Sequence, residues 1–248
     1  RMDPRTKLLG TLLFIISLFC TDNFLGYGVA ALFLAAVIKL SKVPFRFMVR
    51  GLKAVLVLLL ISVSFNLFLT PGEAIVQLGF LKITWEGLRT AVFMALRLIF
   101  LVLGSSVMTL TTTPNELTDG LEKGLGFLKK LGVPVHEVAM MMSIALRFIP
   151  ILIEEADKIM KAQMARGADF ESGNLVRRAK SMVPLLVPLF ISAFRRATDL
   201  AMAMEARCYR GGEGRTKMKP LRYKKRDRIA QIVIVLYLAA IIGTRFVL

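Results

Sequence analysis

The sequence holds one histidine, two cysteines, one tryptophan and only 17 acidic residues in 248. Each scarcity closes off a class of chemistry. His136 has no nearby cysteine or paired carboxylate, so it lacks the partners of a zinc site and reads as a helix-surface residue. Cys20 and Cys208 lie far apart, one in an apolar run and one in a basic region, and imply neither a disulfide framework nor a metal centre. No G-x-x-x-x-G-K-[ST] occurs, so the chain is not itself a P-loop ATPase, and neither H-E-x-x-H nor G-x-S-x-G is present. Asp22, Glu73 and Glu86 fall at the predicted outer edges of apolar runs, which argues against an ion-coupled transporter acting alone. A catalytic role and a bound cofactor therefore have no residues to rest on.

What the chain does have is apolarity and positive charge. It is 56% hydrophobic with mean hydropathy +0.64, and its 34 Lys and Arg leave a net charge of +17. That combination points to an integral membrane protein with basic exposed faces. A nucleic-acid binder could share the charge but has no need of long uncharged apolar runs.

Five spans are expected. The first extends Leu8 to Cys20 to include Thr6 and Thr21, the second covers Phe24 to Ile38, and the third Ala54 to Leu69. Thr70-Pro71-Gly72 ends the third, and a weakly amphipathic stretch to Gly87 is expected outside. The fourth span, Leu88 to Leu110, contains Arg97, which at membrane depth is either functional or turned into the bundle to bond carbonyls or a partner. Thr111-Thr112-Thr113-Pro114-Asn115-Glu116 ends this span and supplies an N-cap and first-turn carboxylate for a short helix from Glu116 to Leu131, with Gly120 and Gly124 in G-x-x-x-G spacing. Two long helices follow, Val135 to Ala168 and Leu175 to Arg210, around a turn at Ser172-Gly173-Asn174. Their apolar cores, Ile144 to Ile153 and Met182 to Phe194, are too short and too closely bounded by charge to be read as spans. Pro184 and Pro188 are expected to kink or delay the second. The basic segment Arg215 to Arg228 leads into the last span, Ile229 to Leu248. The expected division is 1–113 for four spans, 114–228 for the intervening helices and 229–248 for the last span. On this plan 30 of the 34 basic residues share one side, which puts the N-terminus and the long helices in the cytoplasm.

The long helices are an internal repeat. A shift of 41 positions overlays Ala156 on Ala197, Ile159 on Leu200, Ala162 on Ala203, Ala165 on Ala206 and Arg166 on Arg207. Each copy ends in an Ala-Arg-small triplet, Ala165-Arg166-Gly167 and Ala206-Arg207-Cys208. A single such triplet is an ordinary helix end, since the dipole favours a terminal cation. Two in register are more specific: a guanidinium at an exposed helix tip can bond carboxylates or carbonyls in a partner's groove, with small neighbours leaving it room.

Gln163 to Asp169 and Ala203 to Gly211, with Asp3-Pro4-Arg5-Thr6-Lys7-Leu8-Leu9, resemble the transmembrane T component of energy-coupling factor (ECF) vitamin transporters, and the resemblance covers essentially the whole chain. It implies an all-α, polytopic membrane protein of a prokaryotic cell membrane, with about five spans and a cytoplasmic coupling region of two long crossed helices plus a short one. It further implies a non-catalytic scaffold that joins two ABC-type ATPase subunits to a substrate-binding S component for vitamin uptake, with Arg166 and Arg207 each docking in one ATPase. Cys208 departs from the Ala-Arg-Gly pattern, a change expected to leave the docking role intact while altering the fit.

The repeat also aligns Glu154-Glu155 with Arg195-Arg196 near the helix midpoints. If the helices cross there, the opposite charges face each other and brace the crossing; otherwise they are solvated faces. Eight methionines in these helices suit a surface that accepts several S components, or fill a core. Two other readings stay open: a T-type subunit of a cobalt or nickel importer, and a basic membrane anchor binding anionic lipid or nucleic acid through Arg215 to Arg228.

Overall fold

The computed structural model describes residues 2–69, 74–78, 81–170, 174–212 and 221–246. They form α1 (Pro4–Phe19), α2 (Phe24–Ser41), α3 (Phe45–Leu69), strands β1 (Ala74–Leu78) and β2 (Leu81–Thr84), then α4 (Trp85–Thr111) and α5 (Pro114–Gly124). A 3-10 segment (Gly126–Leu131), α6 (Val135–Ala165), α7 (Leu175–Ala206) and α8 (Lys225–Phe246) complete the order. The expected stops at Thr70-Pro71-Gly72 and Ser172-Gly173, and the basic residues Arg215, Lys217 and Lys219, lie outside the described residues.

The architecture is the expected all-helical, multi-pass one, with one addition. The stretch after α3 is an antiparallel ribbon, with Leu78 opposite Leu81, Gln77 opposite Lys82 and Val76 opposite Ile83. Thr84 then caps α4 by accepting the Gly87 N–H at 3.0 Å.

Five helical segments are long and apolar enough to cross a membrane: Phe24–Ser41, Arg46–Leu67, Trp85–Thr111, Val135–Ala165 and Lys225–Thr244. The number matches expectation but the membership differs. Helix α1 starts at Pro4 because Asp3 caps it, and at 16 residues it rises only about 24 Å, short of the ~30 Å hydrocarbon layer. Helix α6 qualifies on length and hydropathy because its 31 residues include apolar turns on both sides of Arg147. Helix formation also runs through Pro150, Pro184 and Pro188 without ending either long helix.

Packing divides the chain into residues 1–123 with 221–248, and residues 124–220. Helix α5 thus belongs with the first unit rather than with the long helices. Gly120 is the reason: a Cβ there would stand 3.3 Å from Pro4, so the glycine lets α5 lie on the start of α1, whereas Gly124 meets nothing. Its N-terminus is closed as expected, by a reciprocal box in which Glu116 N–H donates to Thr113 Oγ1 and Thr113 N–H to the Glu116 carboxylate.

The first unit packs around Phe14, Leu18, Tyr27, Ala30, Leu34, Met48, Leu103, Val107, Tyr237 and Ile241, contributed by α1, α2, α3, α4 and α8. Tyr237 stacks on Phe33 at 4.2 Å and shares a 2.7 Å hydroxyl contact with Ser17, so its one polar atom is satisfied inside the apolar bundle. Phe14 lies over Gly104, where a Cβ would fall 2.7 Å from the ring. Arg97 takes the second of its two readings. It donates to the Tyr27 hydroxyl at 3.1 Å, the Thr21 carbonyl at 3.3 Å and Asp22 at 3.4 Å, and its guanidinium lies over Phe19. The arginine is therefore a clamp on the α1–α2 turn.

At the opposite end of α1, Asp227 is fully buried. One carboxylate oxygen accepts the Asp3 N–H at 2.7 Å, and the other accepts the Lys224 N–H at 2.8 Å to cap α8. Asp3 in turn accepts the Arg5 N–H at 3.0 Å. Arg5 and Lys123 both donate to the Leu221 carbonyl, and the Arg5 guanidinium covers the Tyr223 ring at 4.6 Å. Asp227→Ala removes a buried charged acceptor from two donors and should cost about 3 kcal/mol. Detergent thermal melts are expected to fall markedly for Asp227→Ala and less for Asp227→Asn, which keeps one acceptor; equal melts would show that the clasp carries no stability.

Candidate functional site: the two helix tips

The triplets that end α6 and α7 have the same backbone geometry. At the first, Gly167 N–H donates to the Met164 carbonyl at 2.9 Å and Ala168 N–H to the Gln163 carbonyl at 3.0 Å. At the second, Cys208 N–H donates to the Glu205 carbonyl at 2.8 Å and Tyr209 N–H to the Met204 carbonyl at 3.0 Å. These are Schellman ends, and every donor and acceptor corresponds after the 41-residue shift. The motif needs a left-handed residue just past the arginine, supplied by Gly167 at φ 87° and Cys208 at φ 55°. Arg166, Arg207 and their triplet neighbours Ala165, Gly167, Ala206 and Cys208 are all exposed. The departure at Cys208 thus changes the residue and keeps the turn.

The two long helices pack in an antiparallel sense. Arg196 donates to Glu155 at 3.1 Å, and Leu152, Phe148 and Ile144 of α6 follow along Ala193, Ala197, Leu200, Ala201 and Met204 of α7 around a cleft of about 300 Å³. Beyond Arg207 the chain folds back on the start of α6, where any side chain at Gly212 would collide with the His136 ring. Arg207 therefore lies on the other side of the Arg196–Glu155 contact from Arg166, and with each tip 11 residues from that contact the two are at most about 33 Å apart along the helices. Of the four residues aligned at the midpoints, Glu155 and Arg196 meet, while Glu154 and Arg195 are exposed and form no ion pair among the described residues. The small residues Ala193 and Ala197 line the approach. Met141, Met142, Met164, Met182 and Met202 are exposed along the same two helices. Among the described residues, no group of three or more His, Cys, Asp or Glu side chains gathers as metal ligands would.

A family model described as cobalt transport protein (CbiQ) matches residues 1–218. The energy-coupling factor transporter transmembrane protein EcfT of Thermosediminibacter oceani is 56% identical over 247 residues, covering 100% of this chain and 93% of that protein. The chain belongs to the EcfT family. The EcfT proteins of Clostridium kluyveri, 56% identical over 94% of this chain and 87% of their own, and Bacillus subtilis, 51% identical over 98% and 91%, agree with that placement. EcfT membership makes this a transmembrane component of a transporter, and fits the apolar helices of the first unit.

Sequence reasoning found the tips because the repeat is visible as a spacing, but it missed the Gly212–His136 contact and the cleft. Neither has a local signature; both depend on how α6 and α7 meet. The tip geometry makes a measurable prediction. A left-handed non-glycine residue carries a steric cost of about 1 kcal/mol. Cys208→Gly should accordingly slow hydrogen exchange at the Tyr209 amide by up to about fivefold, and Gly167→Ala should speed it at Ala168 by a similar factor. Unchanged rates at both amides would mean that the caps do not hold the tips.

Proposed function

We propose that this chain is the scaffold of an ECF-type importer and that Arg166 and Arg207 each dock in a groove of one of two ABC-type ATPase subunits. ATP-driven closure of that pair moves α6 and α7, which pass the change to a substrate-binding S component and so drive vitamin uptake. The chain performs no chemistry in this scheme. In this scheme its N-terminus and long helices face the cytoplasm, which counts α1 as crossing and α6 as not crossing, the arrangement in which the basic residues gather on one side. The observation that carries the reading is the pair of exposed arginines on matching Schellman ends at opposite ends of one antiparallel helix pair.

The physical logic is a lever. Guanidinium groups make planar, bidentate hydrogen bonds that hold orientation as well as position. Two such contacts on either side of the Arg196–Glu155 contact would turn relative motion of the ATPases into motion of both helices. The Arg196–Glu155 contact, 3.1 Å long and partly exposed, sits where it can keep the arms from sliding past each other. Such a pair contributes at most about 1 kcal/mol to stability, so its value lies in register. A cobalt or nickel importer subunit is the second reading, favoured by the description of the matching family model. The EcfT relatives, similar over nearly their whole length, favour the first.

Co-purification with both ATPases tests the docking. Arg166→Glu and Arg207→Glu should each weaken retention of the ATPases, and the double variant should lose them by tenfold or more, on the order expected for two charged contacts reversed. Full retention by the double variant would refute the assignment. Arg196→Glu should slow vitamin uptake with both ATPases still bound, and Glu155→Arg in the same chain should restore part of it; unchanged uptake in Arg196→Glu removes the pair from the mechanism.

A further inference from the structure

Between Asp22 and Glu73 the sequence carries no acid, and its five cations, Lys39, Lys42, Arg46, Arg50 and Lys53, all fall at the corner joining α2 to α3. All five are exposed, and among the described residues none forms an ion pair or a side-chain hydrogen bond. Arg50 rests over the Phe47 ring at 5.9 Å, which leaves its donors open. Lys42 ends α2 in the left-handed region at φ 55°, so the chain turns sharply there and α3 begins within a few residues.

The placement of these charges on α3 is not that of an ordinary solvated loop. Arg46, Arg50 and Lys53 follow at i, i+4 and i+7, one face of a helix. Met48 is buried in the core, Leu52 packs against it, and Gly51 faces Val102 and Ser106 of α4. At 100° per residue those positions lie roughly 180° around the helix from the cationic face. The same outer face then changes character. Val57, Leu60 and Ile61 continue it and are exposed apolar residues inside the Arg46–Leu67 span. Cationic for about 10 Å and apolar beyond, the face changes over the distance that separates a bilayer's headgroup layer from its acyl chains. Leu40 and Phe47, both exposed at the corner, give it apolar contacts beside the charges.

We propose that the α2–α3 corner is a binding site for the headgroups of anionic glycerophospholipids, with Arg46 and Arg50 on the phosphates and Lys39, Lys42 and Lys53 around them. Guanidinium pairs with phosphate bidentately, and each cation near an anionic leaflet contributes on the order of 1 kcal/mol. The lipid anchors the end of α3, whose charged outer face has no acid of its own to neutralise it. Phosphate alone lacks the acyl chains that would lie along Val57, Leu60 and Ile61, so the free ion is bound far more weakly.

The test uses the full chain in nanodiscs of equal phosphatidylglycerol and phosphatidylcholine, with bound lipid counted by native mass spectrometry after release. Wild type should retain phosphatidylglycerol in preference. Arg46→Gln/Arg50→Gln/Lys53→Gln should lose that preference by on the order of tenfold. Arg46→Lys/Arg50→Lys should keep most of it, and Lys158→Gln/Lys161→Gln/Lys180→Gln, which removes three exposed cations elsewhere, should leave it intact. In pure phosphatidylcholine, millimolar inorganic phosphate should not reproduce the thermal stabilisation that phosphatidylglycerol gives wild type. Equal retention by wild type and the Arg46/Arg50/Lys53 variant, an equal loss in the Lys158/Lys161/Lys180 variant, or full stabilisation by phosphate would each overturn the proposal.

Discussion

Asp227 is a carboxylate with no exposed surface, and the ends of the chain depend on it. In a bundle largely surrounded by hydrocarbon, a buried acceptor persists only where donors meet it. The Asp3 and Lys224 backbone N–H groups do so, which joins the start of α1 to the start of α8. The same corner collects Arg5 and Lys123 on one carbonyl, that of Leu221. Lys123 is where the chain leaves the first unit and Leu221 is where it returns, and the two are hydrogen-bonded to each other there.

Arg97 applies the same rule at the other end of α1. An arginine at depth is costly alone, yet here its hydrogen bonds all go to the first unit's own polar groups: a hydroxyl, a carbonyl and a carboxylate. With these demands met inside the bundle, the charges left open are those on its rim and on the second unit. That contrast separates structural arginines (Arg5, Arg97) from exposed ones with no hydrogen bond or ion pair among the described residues (Arg46, Arg50, Arg166, Arg207).

The helical class and the position of the long helices were legible because hydropathy and the 41-residue repeat are properties of spacing. The stretch Thr111 to Glu116 marked a helix start, whereas Asp3-Pro4, an N-cap followed by proline at the first helical position, was passed over in favour of the apolar run that begins at Leu8. Other features were hidden for physical reasons. Asp227 sits within a run of lysines and arginines and reads as one acid in a basic segment; only its place three residues into α8, a capping-box position, hints at its role. The ribbon after α3 lacks the strict alternation that would announce strands. Helix α1 looks like a span because threonines and a cysteine extend its apolar run, while its cap and its end leave 16 residues. The attachment of α5 rests on a glycine–proline contact more than a hundred positions apart in sequence, and no local pattern carries that information.

The central claim is that the two tips are far ends of one braced pair, moved by ATP bound to other subunits. Spin labels at Lys161→Cys and Met202→Cys, both exposed one turn before the tips, report it directly once Cys20 and Cys208 are replaced. In the complex with both ATPases, the distance between the labels should change when ATP replaces ADP, and should not change in the isolated chain. A distance indifferent to nucleotide in the complex would contradict the account.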